Sequence, residues 1–410
     1  MQIIDNQYQI QNIPLSDIVQ QYQAPLYVYD TQKMSEKLNL LKDSFAGLRL
    51  RVQYAMKALN NISVLKFFKH KGIGLDAVAI QEVQLALKAG FEPKQIMFTP
   101  NCVSFQEIQE AVALGVNINI DNISILEQFG NYYGHSVPCC IRLNPHIVAG
   151  GNSKIQVGHI DSKFGISILQ MRHVHRVVKN YNLNIVGLHV HTGSDILYPE
   201  VFLQGAEIIF ETAQDFPDLQ FIDFGSGFKV AYKEGDVTTD MPDLGKQLGE
   251  AFQNFCKKYG RELEIWFEPG KFLVSEAGCL LVKVNVIKQT PASVFVGVDS
   301  GLNHLIRPMM YDAYHDIVNI SNPTGAPRIY SVVGYICETD TLGWDRKLSE
   351  VREGDILAIR NAGAYGFTMS SQYNSRFRPA EVLVHEGKVH LIRQRESMED
   401  LLRNQIEIDF

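Results

Sequence analysis

Lys57, His189, His191, Glu268 and the turn Gly225-Ser226-Gly227 are the residues of this chain whose types and surroundings could do chemistry. A lysine held partly out of water can lose its proton and attack a carbonyl to form a Schiff base. Two histidines two residues apart on a strand share one face. One ring can then lie flat against a planar ligand while the other fills the interior. His191 suits the first role, because it runs into Thr192-Gly193-Ser194. A Gly-Ser-Gly turn lets backbone N–H groups approach an anion closely, and phosphate is the natural guest. A carboxylate such as Glu268 can pair with a ring nitrogen and keep it protonated, which strengthens an electron sink. Taken singly, each signal is weak: a lone lysine at a strand end is more often a surface charge, and Gly-Ser-Gly turns are common. Their weight comes from their shared position at the carboxyl ends of apolar runs, together with Asp76 and Asn101.

Those runs imply the scaffold. Val52–Met56, Gly74–Val78, Gln95–Thr99, Val116–Ile120, Cys139–Leu143, Ile185–Val190, Gln220–Phe224 and Glu264–Phe267 read as buried strands. Helical periodicity lies between them, clearest in Ile80–Ala89, Ser104–Leu114 and Gly245–Tyr259, each followed by a glycine. Eight strands alternating with helices over roughly 220–250 residues predict a (β/α)8 barrel, with active residues on the rim at the strands' carboxyl ends. A dinucleotide-binding sheet is disfavoured, since no G-x-G-x-x-G follows the first strand. After Lys271 the pattern changes to strands without crossover helices, Cys279–Gln289, Val294–Val298, Arg328–Val333, Ile356–Ile359, Glu381–Val384 and Val389–Ile392. That predicts a C-terminal antiparallel β-domain. The expected division is residues 1–25 as an N-terminal segment joining the β-domain, 26–275 as the barrel and 276–410 as the β-domain.

Composition narrows the class. The chain has 410 residues, 46% hydrophobic and 20% charged, which suits folded domains rather than disorder. A formal charge of −7 argues against a general nucleic-acid binder. The cysteines, Cys102, Cys139, Cys140, Cys256, Cys279 and Cys337, show no C-x-x-C spacing, so neither a zinc ribbon nor a disulfide framework is expected. No metal is expected. No uncharged apolar run reaches the ~18 residues of a membrane span, and Met1 to Pro14 lacks a signal-peptide pattern, so a cytoplasmic protein is expected.

The motifs Tyr54-Ala55-Met56-Lys57-Ala58, Lys163-Phe164-Gly165-Ile166, His191-Thr192-Gly193-Ser194, Gly225-Ser226-Gly227-Phe228, Glu268-Pro269-Gly270-Lys271, Val298-Asp299-Ser300-Gly301, Cys337-Glu338-Thr339-Asp340 and Gly363-Ala364-Tyr365 running on to Arg378-Pro379-Ala380 occur in this order. Jointly they resemble the fold-type III pyridoxal-phosphate decarboxylases (the alanine racemase and ornithine decarboxylase fold), and among them the diaminopimelate decarboxylases. The resemblance covers nearly the whole chain. It implies that Lys57 holds pyridoxal 5′-phosphate, that His191 stacks on its ring and that Glu268 pairs with the ring nitrogen. It assigns Asp76 and Gly225-Ser226-Gly227 to the cofactor site, with the phosphate held by Ser194, Gly227, the Gly270 turn and Tyr365. Cys337 would donate the proton that replaces CO2. Cys337 and Glu338 would come from a partner subunit, which implies a homodimer. Lys271, Arg307, Tyr311, Glu338 and Tyr365 match the substrate-binding positions, the cations meeting the non-reacting carboxylate and Glu338 the distal ammonium. The implied reaction is decarboxylation of meso-2,6-diaminopimelate to L-lysine, the last step of lysine biosynthesis.

Four departures from that pattern stand out. Lys271 replaces the usual Arg and so lacks its bidentate fork. Ser226 replaces a middle glycine, Asp195 a common Gln, and Cys337-Glu338-Thr339-Asp340-Thr341 the usual Cys-Glu-Ser-Gly-Asp. None removes a catalytic group. The competing readings are decarboxylation of carboxynorspermidine, ornithine or arginine on the same fold, alanine racemisation, which would want a tyrosine base where this chain has the Cys337 motif, and a non-catalytic binding homologue.

Overall fold

Eight short buried runs form a ring of parallel strands: β1 Leu50–Ala55, β2 Gly74–Ala77, β3 Ile96–Phe98, β4 Asn117–Ile120, β5 Cys139–Asn144, β6 Ile185–Val190, β7 Phe221–Asp223 and β8 Glu264–Phe267. Each pairs in parallel with the next, and β8 returns to β1. The computed structural model describes residues 1–147 and 160–410. The ring is closed, as the repeat of strand and helix requires. Its strands are buried on both faces, which is why they read as continuous apolar runs rather than alternating ones. With its helices it forms one unit, Lys37–Val230 with Val237–Phe272. Aromatic side chains fill the space beside the strands, with Phe45 4.6 Å from Phe267 and Phe210 stacked 4.4 Å from Phe255, ring centre to ring centre.

The helices Ile80–Lys88 and Phe105–Ala113 lie where their periodicity places them. The third begins earlier than expected, at Met241 rather than Gly245. The Asp240 carboxylate accepts the Asp243 N–H at 3.0 Å and caps the helix, and Pro242 falls in the first turn, where no backbone donor is needed. The helix ends at Gly260, whose φ of +81° suits a residue without Cβ.

The second unit comprises Met1–Glu36, Ala231–Asp236 and Leu273–Phe410. Its main sheet is largely antiparallel but contains two parallel pairings, Val294–Val298 with Pro327–Val333 and Leu26–Asp30 with Ala380–His385. The strand-like run Pro25–Tyr29 precedes the barrel strands in the sequence, an arrangement that suits joining this sheet. Leu26–Asp30 has the wholly buried pattern of a barrel strand, yet it pairs between Gly278–Gln289 and Ala380–His385 in this sheet. Thr341–Ser349, pairing with Pro327–Val333, carries no apolar signal, because it is an edge strand bearing Asp345, Arg346, Lys347 and an exposed Trp344. Within the sheet, Tyr29 donates its hydroxyl to the buried Glu381 at 2.7 Å, and Arg393 pairs with the same carboxylate.

The Met241–Tyr259 cap is a testable support of the barrel unit. Asp240→Ala should lower the unfolding free energy by about 1 kcal/mol, and Asp240→Asn by a few tenths, in urea melts monitored by circular dichroism. Equal midpoints for wild type and Asp240→Ala would contradict the capping role.

Candidate active site

Strand register assembles the rim. Ala55 of β1 lies opposite Asp76 of β2, so Lys57, in the 3-10 turn that follows β1, stands beside that carboxylate. Lys57 Nζ is 3.8 Å from Asp76 Oδ2. Farther round, His189 lies opposite both Arg142 and Asp223, and Asp223 opposite Trp266, two residues before Glu268. One row of the barrel thus gathers Arg142, His189, Asp223 and Glu268, all buried.

His189 is an ordered partner of Glu268 rather than interior filling. Asn119 donates its amide to His189 Nδ1 at 2.7 Å, so the ring proton sits on Nε2. That nitrogen is 3.3 Å from Glu268 Oε2. Oxygens of Asp223 and Glu268 and a nitrogen of His189 lie within 4.8 Å of one another. Burial works to raise the Glu268 carboxyl, but His189, Lys57 and Arg142 outweigh it and hold it down at about 2. The two neighbouring acids go the other way. Burial and then the charge of Glu268 push Asp76 up to about 8, against the pull of Lys57. The same two causes push Asp223 well above the usual range. Glu268 is therefore held ionised, while Asp223 in its row and Asp76 beside Lys57 are both driven toward the neutral form. Burial keeps His189 and His191 uncharged at neutral pH.

The Gly225-Ser226-Gly227 turn is tighter than a simple anion cradle. The Gly225 N–H donates to Asp223 Oδ1 at 2.8 Å, and the Ser226 N–H to His191 Nδ1 at 3.2 Å. Two of its three N–H groups are thus engaged in fixing side chains, and Ser226 serves His191 rather than presenting its own amide to an anion. Gly227 has φ +116°, and a Cβ there would stand 2.4 Å from the Gly193 carbonyl oxygen. Ser194 and Lys271 lie together, with Lys271 Nζ donating to Ser194 Oγ at 3.0 Å and also to the Asp195 carboxylate. The expected carboxylate clamp at Lys271 is thus already met by an internal carboxylate. Asp195, the residue that departs from the common Gln, supplies it. Gly270 lies against Ala55 and Ala58, where a Cβ would come within 3.2 Å of both, so this turn closes over the segment carrying Lys57.

The remaining candidates belong to the second unit. Arg307 is buried at the start of the helix Arg307–Tyr311, four residues before Tyr311. Its guanidinium carbon is 5.3 Å from the Tyr232 ring centre and 6.0 Å from that of Tyr365, and its Nε has no hydrogen-bond partner among the described residues. Tyr365 has φ +56°. Cys337 and Glu338 are exposed on a turn held by the Asp340 carboxylate, which accepts the Leu302 N–H at 2.6 Å and the Ile336 N–H at 2.9 Å. Around Cys337 stand Tyr373 and Asn374, neither singled out by sequence reasoning, although they fall in the stretch between Tyr365 and Arg378. Asn119 and Tyr232 were likewise missed, and no local pattern marks them, because only strand register and chain return bring them in.

Comparison with known proteins agrees with this geometry. Residues 31–275 match the pyridoxal-dependent decarboxylase pyridoxal-binding domain. Diaminopimelate decarboxylase of Methanothermobacter thermautotrophicus is 39% identical over 95% of this chain and 93% of its own length. The crystal structure of diaminopimelate decarboxylase from Helicobacter pylori complexed with L-lysine superposes with a TM-score of 0.88 at 34% identity, covering 95% of this chain and 98% of that one. Diaminopimelate decarboxylase from M. jannaschii in complex with L-lysine gives a TM-score of 0.89 at 30% identity, with 99% and 98% covered. The barrel, the ionised glutamate in its rim and these likenesses lead to one conclusion: the chain belongs to the fold-type III pyridoxal-phosphate-dependent decarboxylases, in the diaminopimelate decarboxylase family.

Proposed function

We propose that this protein decarboxylates meso-2,6-diaminopimelate to L-lysine and CO2. The observation that carries the reading is the buried Glu268, 3.3 Å from His189, in the barrel rim that also bears Lys57. The residues present fit pyridoxal 5′-phosphate. Glu268 Oε1 is buried without a hydrogen-bond partner among the described residues and can accept a ring N–H. Gly227 packs its backbone against the Gly193 carbonyl, which keeps the two glycine turns together, and Ser194 and Lys271 add a hydroxyl and a cation nearby. When bound, the cofactor supplies an electron sink for the carbon that loses CO2.

The chain's own residues then divide the work. Lys57 supplies the amine that attaches the cofactor, with the Asp76 carboxyl 3.8 Å from it. Glu268 holds a proton on the ring nitrogen, and His189, fixed by Asn119, holds Glu268. His191, its Nδ1 fixed by the Ser226 N–H, would bear on the cofactor ring. Ser194, Gly227, Gly270 and Tyr365 retain the phosphate. Arg307, enclosed by Tyr232 and Tyr365, takes the non-reacting carboxylate with Tyr311. Lys271, already paired with Asp195, adds less to that grip than its position alone suggests. Cys337 gives the proton that replaces CO2, and Glu338 meets the distal ammonium.

The exposure of Cys337 and Glu338 supports a homodimer in which each chain offers these residues to the other's site. All six cysteines are free, which supports a cytoplasmic setting. Among the described residues no helix is long and apolar enough to cross a membrane.

Purified protein supplied with pyridoxal phosphate should release CO2 and form lysine from meso-diaminopimelate in preference to ornithine, arginine or carboxynorspermidine. Preference for one of those amines would move the assignment to polyamine synthesis.

Borohydride reduction of the holoenzyme should fix the cofactor on the peptide containing Lys57, read by mass spectrometry. Label on another lysine would remove Lys57 from its role.

Arg307→Ala should lower kcat/KM for diaminopimelate by about 30-fold or more, since a charge-assisted contact in a sheltered site is worth roughly 2–5 kcal/mol once its partner is left unpaired. Residual turnover of ornithine, which has no second carboxylate, should change much less. Equal losses on both substrates would refute the clamp.

A further inference from the structure

Cys337 is held at two points by one side chain. Its backbone N–H donates to Asn374 Oδ1 at 3.1 Å, and Asn374 Nδ2 donates to its sulfur at 3.1 Å. Asn374 itself sits in left-handed backbone, φ 56° and ψ 27°, a conformation that asparagine tolerates better than most residues. On the other side of the sulfur, the Tyr373 hydroxyl is 3.8 Å away and donates to Glu338 Oε1 at 2.9 Å. Because the phenol proton is directed at the carboxylate, the thiol is left to donate to the phenol oxygen. A chain of donors therefore runs from thiol to phenol to carboxylate, and its far end is exposed to water.

We propose that Tyr373 and Asn374 complete Cys337 as a proton donor, Asn374 as the positioning residue that fixes the sulfur and Tyr373, oriented by Glu338, as the carrier that re-supplies it with protons from water. This rests on Cys337 being the donor in the reaction proposed above. Decarboxylation exchanges a C–C bond for a C–H bond, so every turnover consumes one proton. The S–H bond of Cys337 breaks as the new C–H bond forms. The sulfur then takes the Tyr373 hydroxyl proton, and the exposed phenol oxygen regains one from the surrounding water, while the Glu338 carboxylate stays an acceptor throughout. Only a hydroxyl rotation is needed to reverse the resting direction of the chain. The bond to Glu338, then that to Cys337, pushes the Tyr373 hydroxyl up to about 12, so it conducts protons without ionising at rest.

The test uses holoenzyme carrying Cys102→Ser, which removes the other exposed thiol. Tyr373→Phe should lower kcat about tenfold or more with KM nearly unchanged, and imidazole buffer should restore turnover in proportion to its acid form. Wild type should not respond to imidazole. Asn374→Asp keeps the acceptor for the Cys337 N–H but turns a negative oxygen toward the sulfur, and should slow iodoacetamide alkylation of Cys337 about tenfold at pH 7.5. Asn374→Gly, which tolerates the same backbone, should slow it less. Wild-type kcat in Tyr373→Phe, or a loss that imidazole does not answer, would overturn the relay. Wild-type alkylation rates in both Asn374 variants would overturn the clamp. Full turnover in Cys337→Ala would instead remove Cys337 from the reaction, and the relay with it, while the alkylation comparison would still judge the clamp.

Discussion

An ionised carboxylate inside a barrel is costly unless its surroundings are arranged for it, and the rest of the rim follows from how Glu268 is kept charged. Burial alone would raise its affinity for a proton. The ring N–H of His189 and the positive charges of Lys57 and Arg142 reverse that, and the same negative charge drives Asp76 and Asp223 to take up protons. The result is one anion where three carboxyl groups crowd together, a division of protonation set by environment rather than by residue type. Removing a single cation would redistribute protons across the whole row, so these groups act as a unit.

The row exists because parallel pairing places residues of distant sequence opposite one another. Arg142, His189 and Asp223 are level across three adjacent strands, and Glu268 follows on the fourth. Asn119 reaches in from β4 and fixes which nitrogen of His189 carries the proton. The Gly225 turn then uses its own amides to anchor Asp223 and His191. Backbone geometry thus orients the side chains that the chemistry needs, and the glycines serve that close approach.

Much of this is legible in the sequence, because a fully buried parallel strand has a distinctive composition and a barrel puts its functional residues at fixed points along each one. Lys57, Glu268 and the glycine turn announce themselves in that way. What the sequence hides are partnerships. Lys271 reads as a free cation until Asp195, seventy-six residues away, is found against it. His189 reads as filling until Asn119 and Glu268 flank it. Thr341–Ser349 is overlooked because an exposed edge needs no apolar run. Tyr373 and Asn374 sit within a recognisable motif, yet their hydrogen bonds to Cys337 and Glu338 depend on a left-handed turn that residue types alone do not reveal.

The central claim is that the protein keeps Glu268 anionic so that the ring nitrogen of the bound cofactor stays protonated. Nitrogen-15 NMR of holoenzyme reconstituted with ring-labelled pyridoxal phosphate measures that proton directly. A carboxylate held at about 2 predicts a pyridinium shift that persists unchanged from about pH 6 to pH 9. A shift characteristic of a bare ring nitrogen, or one that titrates near neutrality, would contradict the account.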